Sequence, residues 1–226
     1  MSNTSKRGSL IVFEGCDRSG ITTLVAKLVG KLTEQGKQPM SITFPDKTSD
    51  IGSIITSYFT HTKELDNHAM HLLFSANIWE KKKEILNTLK EGTDVIIDRY
   101  AYGGAAFSAA KEGLTLDWCM KTDIGLPKPD LVCFMDVTKE VTMNREDFGG
   151  ERWEIPHFQR KVRENFLHLS DSSWVHVPAD GSLEEVEEEL YDVVMREVDK
   201  TEKGELGKLW AEYSVINFKR QSDKDK

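Results

Sequence analysis

The chain contains 226 residues, of which 38% are apolar and 30% are charged, a balance typical of soluble globular proteins. This length is sufficient for one large α/β domain or for two small ones. The formal net charge of −8 argues against general binding to nucleic acids or to acidic membranes, so an anionic ligand would need a local basic site.

The cysteines and the N-terminus indicate where the protein resides. Cys16, Cys119 and Cys133 lie far apart and lack metal-site spacing, which predicts a reduced intracellular protein. No run approaches the ~20 apolar residues that span a bilayer. The N-terminal residues 1–7 have no apolar core after their charges, unlike a secretory signal. We therefore expect a cytoplasmic or nuclear protein with no membrane partner.

Apolar runs typical of strands alternate with helical patterns along the chain. The runs occur at 9–14, 39–44, 94–98, 130–136 and 173–178. One helix is predicted over 22–35. A second, over 66–90, has apolar residues at helical spacing and ends before Gly92, which suits a left-handed cap. The alternation predicts βαβ units and a parallel sheet with helices on both faces.

The C-terminal third is predicted to be mainly helical. Helices are expected over 137–145 and 155–169, with a glycine-containing insert between them. The acidic run 184–190 is interpreted as a solvated helix face, not a metal site, because it accompanies an apolar stripe at Leu183, Val186, Leu190, Val193, Val194 and Val198. With no repeat or linker evident, we predict a single domain over 1–212 and a flexible tail over 213–226.

Residues 15–22 read Gly-Cys-Asp-Arg-Ser-Gly-Ile-Thr, a phosphate-binding loop that lacks its lysine. The pattern G-x-x-x-x-G-K-[ST] is met except at Ile21. A strand before the loop and a helix after it would place backbone N–H groups and a helix dipole around one anion. We interpret Cys16 as a spacer that contributes only its backbone. The loop predicts a nucleotide site and leaves open whether phosphoryl transfer follows.

Further stretches extend this match along the chain. With the loop residues 15–20, they comprise 44–47, 72–77, 98–102, 116–119, 125–131, 148–154 and 204–210. In this order they resemble the thymidylate kinase family in its eukaryotic form, over roughly residues 8–210. The resemblance implies a P-loop nucleoside monophosphate kinase fold, with a five-stranded parallel sheet and a lid near 146–153. It also implies Mg²⁺-dependent transfer of the ATP γ-phosphate to dTMP by a homodimer.

The resemblance also assigns roles to residues. It implies catalytic roles for Asp98, Arg99 and Arg18, and Mg²⁺ binding by Thr22 and Asp98. ATP is expected to bind Gly15, Cys16, Asp17, Arg18, Ser19, Gly20, Ile21, Thr22, Thr23 and Arg145. The dTMP site is expected to comprise Asp17, Phe44, Lys47, Phe74, Ile78, Arg99, Gly103, Arg152, Trp153 and Gln159. In isolation, Asp98-Arg99 could equally be a surface ion pair, and the strand context favours a functional role. Spacing alone favours Phe74 as a core residue, and the match of stretch 72–77 to the family reverses that preference.

Several positions depart from the family pattern at places where it has chemistry. Ile21 replaces the loop lysine, and Ile78 replaces an arginine that contacts thymine. Lys47 replaces an arginine on the dTMP phosphate and loses its bidentate geometry. Gly103 replaces a serine, and Trp153 stands where tyrosine is usual. By analogy with one stabilising arginine, losing the lysine would cost about 10³–10⁵ in rate.

Three functions therefore remain open at the level of sequence. The first is a working ATP-dependent dTMP kinase, supported by the retained Asp17, Phe74, Asp98 and Arg99. The second is an impaired family member that binds nucleotide or a partner, supported by Ile21 and Ile78. The third is a kinase for a different nucleoside monophosphate, since Ile78 and Trp153 alter the base and sugar pocket.

Overall fold

A computed structural model describes residues 7–143, 152–200 and 203–213. Five strands form one sheet: β1 (Leu10–Gly15), β2 (Met40–Thr43), β3 (Val95–Asp98), β4 (Leu131–Asp136) and β5 (Trp174–Pro178). The strand order is β2-β3-β1-β4-β5, and all neighbouring strands are parallel. The predicted five-stranded parallel sheet is thus confirmed.

Helices connect the strands and cover both faces of the sheet. They are α1 (Ile21–Glu34), α2 (Asp50–Phe59), α3 (Asn67–Lys90), α4 (Ala101–Ala109), α5 (Leu116–Lys121), α6 (Lys139–Met143), α7 (Pro156–Leu169) and α8 (Leu183–Val198). The long helix predicted over 66–90 is α3. Asp66 caps its start by accepting from the N–H groups of His68 and Ala69, and Gly92 follows its end at φ 87°.

Strand β1 lies at the centre of the sheet and is buried on both faces. Leu10 and Val12 belong to the apolar cluster on one face, while Ile11 and Phe13 belong to the cluster on the other. This division follows from the two-residue period of a strand. The first face is covered by helices that include α3, α4 and α7, and the second by α1 and α8.

Two predicted features differ from the structure. Leu183 is predicted to lie in the buried stripe of α8 but is 39% exposed, because it is the first residue of that helix and lies one turn before the first buried position, Val186. The other members of that stripe are buried. The helix predicted over 137–145 begins only at Lys139. Its last two positions, most of the lid and the tail after Tyr213 lie outside the described residues.

The topology determines where a site can form. Phe13 of β1 pairs with Asp98 of β3, so the segments that follow these two strands meet at one edge of the sheet. After β1 the chain passes β3 to form the edge strand β2, returns to form β3, and then adds β4 on the opposite side of β1. The direction of strand addition therefore reverses between β1 and β3. Ligands of open α/β sheets bind outside the carboxyl ends of the strands at such a reversal. In the described part of the chain, no helix combines the length and apolarity needed to cross a membrane.

Candidate active site

A cavity of about 520 Å³ opens at the carboxyl ends of β1, β2 and β3. Its polar lining includes Asp17, Thr22, Lys47, Asp98 and Arg99. Its lining also includes Lys111 and the aromatic rings of Phe59, Phe74, Phe107 and Trp153. The cavity therefore combines groups suited to phosphate and a metal with ring faces suited to a flat base.

The predicted phosphate loop joins β1 to α1 beside the cavity. Gly20 adopts φ 86° and precedes α1 without a side-chain cap. Gly15 permits a close approach, since a Cβ there would lie 2.7 Å from Ser19 Oγ. The first N–H groups of a helix have no partners within the helix, and their dipole favours an anion. The loop thus has the geometry of an anion site.

The side chains of Ile21 and Thr22, at the start of α1, have different environments. Ile21 is 3% exposed and packs in the apolar cluster beneath α1 and α8. Thr22 is exposed and lines the cavity. The substitution at position 21 therefore removes a cation and places a hydrocarbon side chain in the core. The Ile21 side chain does not line the cavity.

Asp98 and Thr22 form a pair that suits a magnesium ion. Thr22 Oγ1 donates to Asp98 Oδ2 at 2.8 Å, while Asp98 Oδ1 is buried without a hydrogen-bond partner. Burial raises the pKa of the Asp98 carboxyl, and the Thr22 hydrogen bond and the charge of Arg99 oppose that rise. Mg²⁺ commonly takes one or two protein oxygens and completes its octahedron with phosphates and water. These two side chains fit that pattern.

Arg99 is held between the loop and the cavity in a strained conformation. Its φ of 66° is rare for a side chain of this size. The guanidinium donates to the Gly15 carbonyl at 3.1 Å and to Asp17 Oδ1 at 3.2 Å. It also lies over the Phe107 ring, 5.6 Å from the centroid. These contacts place Arg99 in the cavity wall, which excludes the alternative of a simple surface ion pair.

Gln159, near the start of α7, links the phosphate loop to the segment after the insert. Its Oε1 accepts from Asp17 N–H at 3.1 Å. Its Nε2 donates to Asp17 Oδ2 at 2.8 Å and to the Trp153 carbonyl at 2.7 Å. Arg18 makes a parallel link by donating to the buried Glu154. The Asp17 amide is therefore engaged within the protein. Burial raises the pKa of the neighbouring Cys16 thiol to about 12, so this thiol stays protonated at neutral pH.

The remaining predicted dTMP residues divide between the cavity and its surroundings. Phe44, Lys47, Phe74, Ile78, Gly103 and Trp153 all line it. Phe74 is half-buried and lies 5.9 Å from the Phe59 ring, and Trp153 stacks on Phe158 at 4.7 Å. Arg152 does not join the lining: it lies over the Tyr58 ring at 4.1 Å and pairs with Glu64. Arg145 lies outside the described residues.

Sequence reasoning missed two buried ionisable residues that border the cavity. Glu14 is fully buried in β1, and its Oε1 accepts from Tyr100 N–H and Gly103 N–H at 2.9 Å each. It thereby fixes the backbone on either side of the start of α4. Its signal was a lone carboxylate inside an apolar strand. Lys111 is 7% exposed among aromatic rings, and nothing in its local sequence announces that burial.

Comparison with proteins of known family assigns the chain to one such family. The family model for thymidylate kinase matches residues 13–190. The chain belongs to the thymidylate kinase family. A thymidylate kinase from Danio rerio is 42% identical over 208 residues, which cover 91% of this chain and 98% of the relative. One from Homo sapiens is 38% identical, with coverage of 91% and 99%.

A solved structure agrees with this family assignment. The thymidylate kinase of Candida albicans, which is described as having broad substrate specificity, superposes with a TM-score of 0.79 at 32% identity. The match covers 90% of this chain and 98% of that one. A further relative from Arabidopsis thaliana is 43% identical, with coverage of 93% and 80%. The thymidylate kinase fold therefore extends over nearly the whole described chain.

Proposed function

We propose that this chain is an ATP-dependent dTMP kinase that transfers the γ-phosphate of ATP to dTMP and releases dTDP. The juxtaposition of Thr22, Asp98 and Arg99 between the phosphate loop and the cavity supports this activity. Phosphoryl transfer depends mainly on positioning and charge neutralisation, and these three side chains supply both at one point.

The ATP side of the site is formed by the phosphate loop and by the pair of Thr22 and Asp98. The free N–H groups at the start of α1 would hold the ATP phosphates. Thr22 and Asp98 would hold Mg²⁺, which when bound neutralises charge on those phosphates. Asp98 needs no role as a base, because the nucleophile is a phosphate oxygen of dTMP that is already anionic at neutral pH.

The dTMP side of the site is formed by Arg99 and the aromatic rings that line the cavity. The planar guanidinium of Arg99 suits two phosphate oxygens and would turn from Asp17 and Gly15 toward them. Lys47 would add a second positive charge at the cavity mouth. Phe74 offers a ring face for the base, and base–aromatic stacking contributes about 1–3 kcal/mol. In line with the family resemblance, Asp17 would accept from the sugar 3′-hydroxyl.

Ile21 supports the alternative of a nucleotide binder with little transferase activity. Its position in the core leaves the loop without the usual cation, and Arg18 is the basic residue within the loop itself. Against this alternative, the remaining parts of the site are assembled in one cavity. We further propose Mg²⁺ dependence and a homodimeric, cytoplasmic or nuclear protein, as the resemblance and composition imply.

Steady-state formation of dTDP from Mg-ATP and dTMP tests the activity. An Asp98→Ala variant, purified identically, controls for contaminating host kinases. We expect measurable turnover that is well below the roughly 1–100 s⁻¹ typical of kinases, because the loop lysine is missing, and none above background in the variant. Equal rates for the two proteins, with ATP binding intact by calorimetry, would overturn the kinase proposal in favour of the binding role.

A further inference from the structure

Glu14 is a fully buried polar side chain in the central strand of the sheet, and the proposed transfer gives it no contact with either nucleotide. By the two-residue period of a strand, it shares the face of Leu10 and Val12, which packs toward α4. A polar group that is removed from water costs free energy unless hydrogen bonds replace its hydration. The carboxyl of Glu14 therefore needs partners, and it finds them on α4.

The partners of Glu14 are the backbone groups at the start of α4. Its Oε1 accepts from Tyr100 N–H and from Gly103 N–H, each at 2.9 Å. Tyr100 is the cap residue of α4, and its own side chain makes no capping hydrogen bond. In a capping box, side chains of the helix itself satisfy the N–H groups at these same two positions. Here a single oxygen from β1 satisfies both, so Glu14 caps α4 from a neighbouring element.

This cap constrains the residue immediately before it, Arg99. Arg99 has a φ of 66°, a conformation that L-residues avoid unless the surrounding structure imposes it. The Phe13 carbonyl accepts from Arg99 N–H at 3.0 Å, and the Gly15 carbonyl accepts from the guanidinium at 3.1 Å. Between them, Glu14 holds the N–H of the next residue, Tyr100. Phe13 and Gly15 act through their backbone, whereas Glu14 acts through a side chain that substitution can change.

The reach of the Glu14 carboxyl, more than its charge, suits this role. Burial raises its pKa to about 8, against the opposing effects of the Gly103 N–H and of Arg99, so the group is mainly neutral at pH 7. A neutral carboxyl accepts through one oxygen and carries the proton on the other. In the described part of the chain Oε2 is buried without a hydrogen-bond partner, and a Cβ at Gly103 would lie 2.9 Å from it. The position of Oε1 is therefore what maintains the cap.

We propose that Glu14 is a positioning residue for phosphoryl transfer, because its cap on α4 holds Arg99 in the left-handed conformation that presents the guanidinium to the cavity. This inference rests on the proposed function, in which Arg99 binds the dTMP phosphate, and deepens it. Without the cap, the N–H groups of Tyr100 and Gly103 lose their acceptor, and Arg99 loses a constraint that keeps its φ positive. The guanidinium is then displaced from the point where it neutralises charge.

Two substitutions of Glu14 separate reach from charge, with dTMP affinity by calorimetry without ATP and single-turnover transfer from Mg-ATP as readouts. Glu14→Gln keeps an acceptor oxygen at the same reach and is expected to retain most of the affinity and of the rate. Glu14→Asp keeps the carboxyl but is one methylene shorter, so it cannot reach both N–H groups. We expect it to weaken dTMP binding by about tenfold and to slow transfer by about 10²-fold.

The opposite pattern would overturn the proposal. A role of the charge predicts that Glu14→Gln is at least as impaired as Glu14→Asp. A Glu14→Asp variant with wild-type dTMP affinity and transfer would show that the cap does not position Arg99.

A double-mutant cycle with Arg99→Met shows whether Glu14 acts through Arg99. In the Arg99→Met background the guanidinium is absent, so Glu14→Asp is expected to cause no further loss of dTMP affinity. An equal loss in the two backgrounds would mean that Glu14 affects the site by another route, and would overturn its role as a positioning residue.

Thr115→Ala is the matched control for the loss of a helix cap. Thr115 accepts from Trp118 N–H at the start of α5, whose residues do not line the cavity. This variant is expected to be less stable but to bind dTMP as the wild type does. Urea unfolding verifies that each variant is folded. Should Glu14→Asp fail to fold, Glu14→Met, which fills a similar volume without an acceptor, carries the same expectation.

The wild type separates this inference from the proposed function. If the wild type binds dTMP and turns it over while folded Glu14→Asp does the same equally well, the role of Glu14 is overturned and the kinase proposal stands. A wild type that binds no dTMP overturns both.

Discussion

Replacing Ile21 with lysine tests the largest chemical departure of this chain from its family. The side chain at position 21 is 3% exposed in the cluster beneath α1 and α8. Burying an isoleucine stabilises a fold by about 1.5–3 kcal/mol, and truncating one in a core costs about 2–5 kcal/mol. A lysine keeps its aliphatic stem against the core but must direct its ammonium toward the loop. We therefore expect the free energy of unfolding to fall by about 2–3 kcal/mol.

The effect on catalysis has the opposite sign. A single cation that follows charge on the transferring phosphate is worth about 10³–10⁵ in rate, which corresponds to roughly 4–7 kcal/mol of transition-state stabilisation. If Thr22, Asp98 and Arg99 are positioned for transfer, Ile21→Lys is expected to raise the single-turnover rate about 10³–10⁵-fold over the wild type. The variant thus becomes a less stable protein and a faster enzyme.

Single-turnover transfer from Mg-ATP to dTMP and urea unfolding measure these two effects separately. Ile21→Met is the matched control, since the methionine side chain is unbranched and of similar length to lysine but carries no charge. We expect Ile21→Met to transfer phosphate no faster than the wild type. If Ile21→Lys is destabilised but no faster than Ile21→Met, the reasoning is refuted, because a cation at this position then does not reach the phosphates.

Three further predictions concern the residues around the loop. Asp98→Asn keeps the shape of the side chain but removes its charge, and we expect transfer to fall by at least about 10² with dTMP affinity unchanged; an equal loss of dTMP affinity by calorimetry would contradict a role on the metal side. Glu14 has a pKa raised by burial from 4.5 to about 8, so the folded state binds the extra proton and wild-type stability falls as pH rises between these values. Glu14→Gln removes this dependence, and urea unfolding at pH 5 and pH 8.5 is expected to favour the variant by a few kcal/mol more at the higher pH; the same difference at both pH values would refute the assignment. Gln159→Met keeps the side-chain volume but breaks the hydrogen bonds to Asp17 and Trp153. Calorimetry is expected to show about tenfold weaker binding of both ATP and dTMP. A loss confined to one nucleotide would show that Gln159 does not couple the phosphate loop to Trp153.

The sequence sufficed for the features that depend on local pattern. Apolar runs and helical spacing predicted the parallel sheet, and the cap residues placed α3 to within one residue. The sequence could not predict the environments of Ile21, Arg152 and Lys111, because these environments depend on elements that are distant in the chain. Ile21 turns into a core that α8 completes, and Arg152 is drawn to the Tyr58 ring of α2. Lys111 is enclosed by rings from α2, α3 and the segment after the insert, none of which is adjacent to it in the chain.

The amide of Gln159 has a consequence for how the two nucleotides influence each other. It holds both the backbone and the carboxylate of Asp17 on the phosphate loop, and it also holds the carbonyl of Trp153, which lines the cavity. A triphosphate that orders the phosphate loop therefore also orders the cavity wall at Trp153. A base that orders Trp153 likewise orders the loop. Such coupling is reciprocal by thermodynamic necessity. We therefore expect the two nucleotides to bind synergistically.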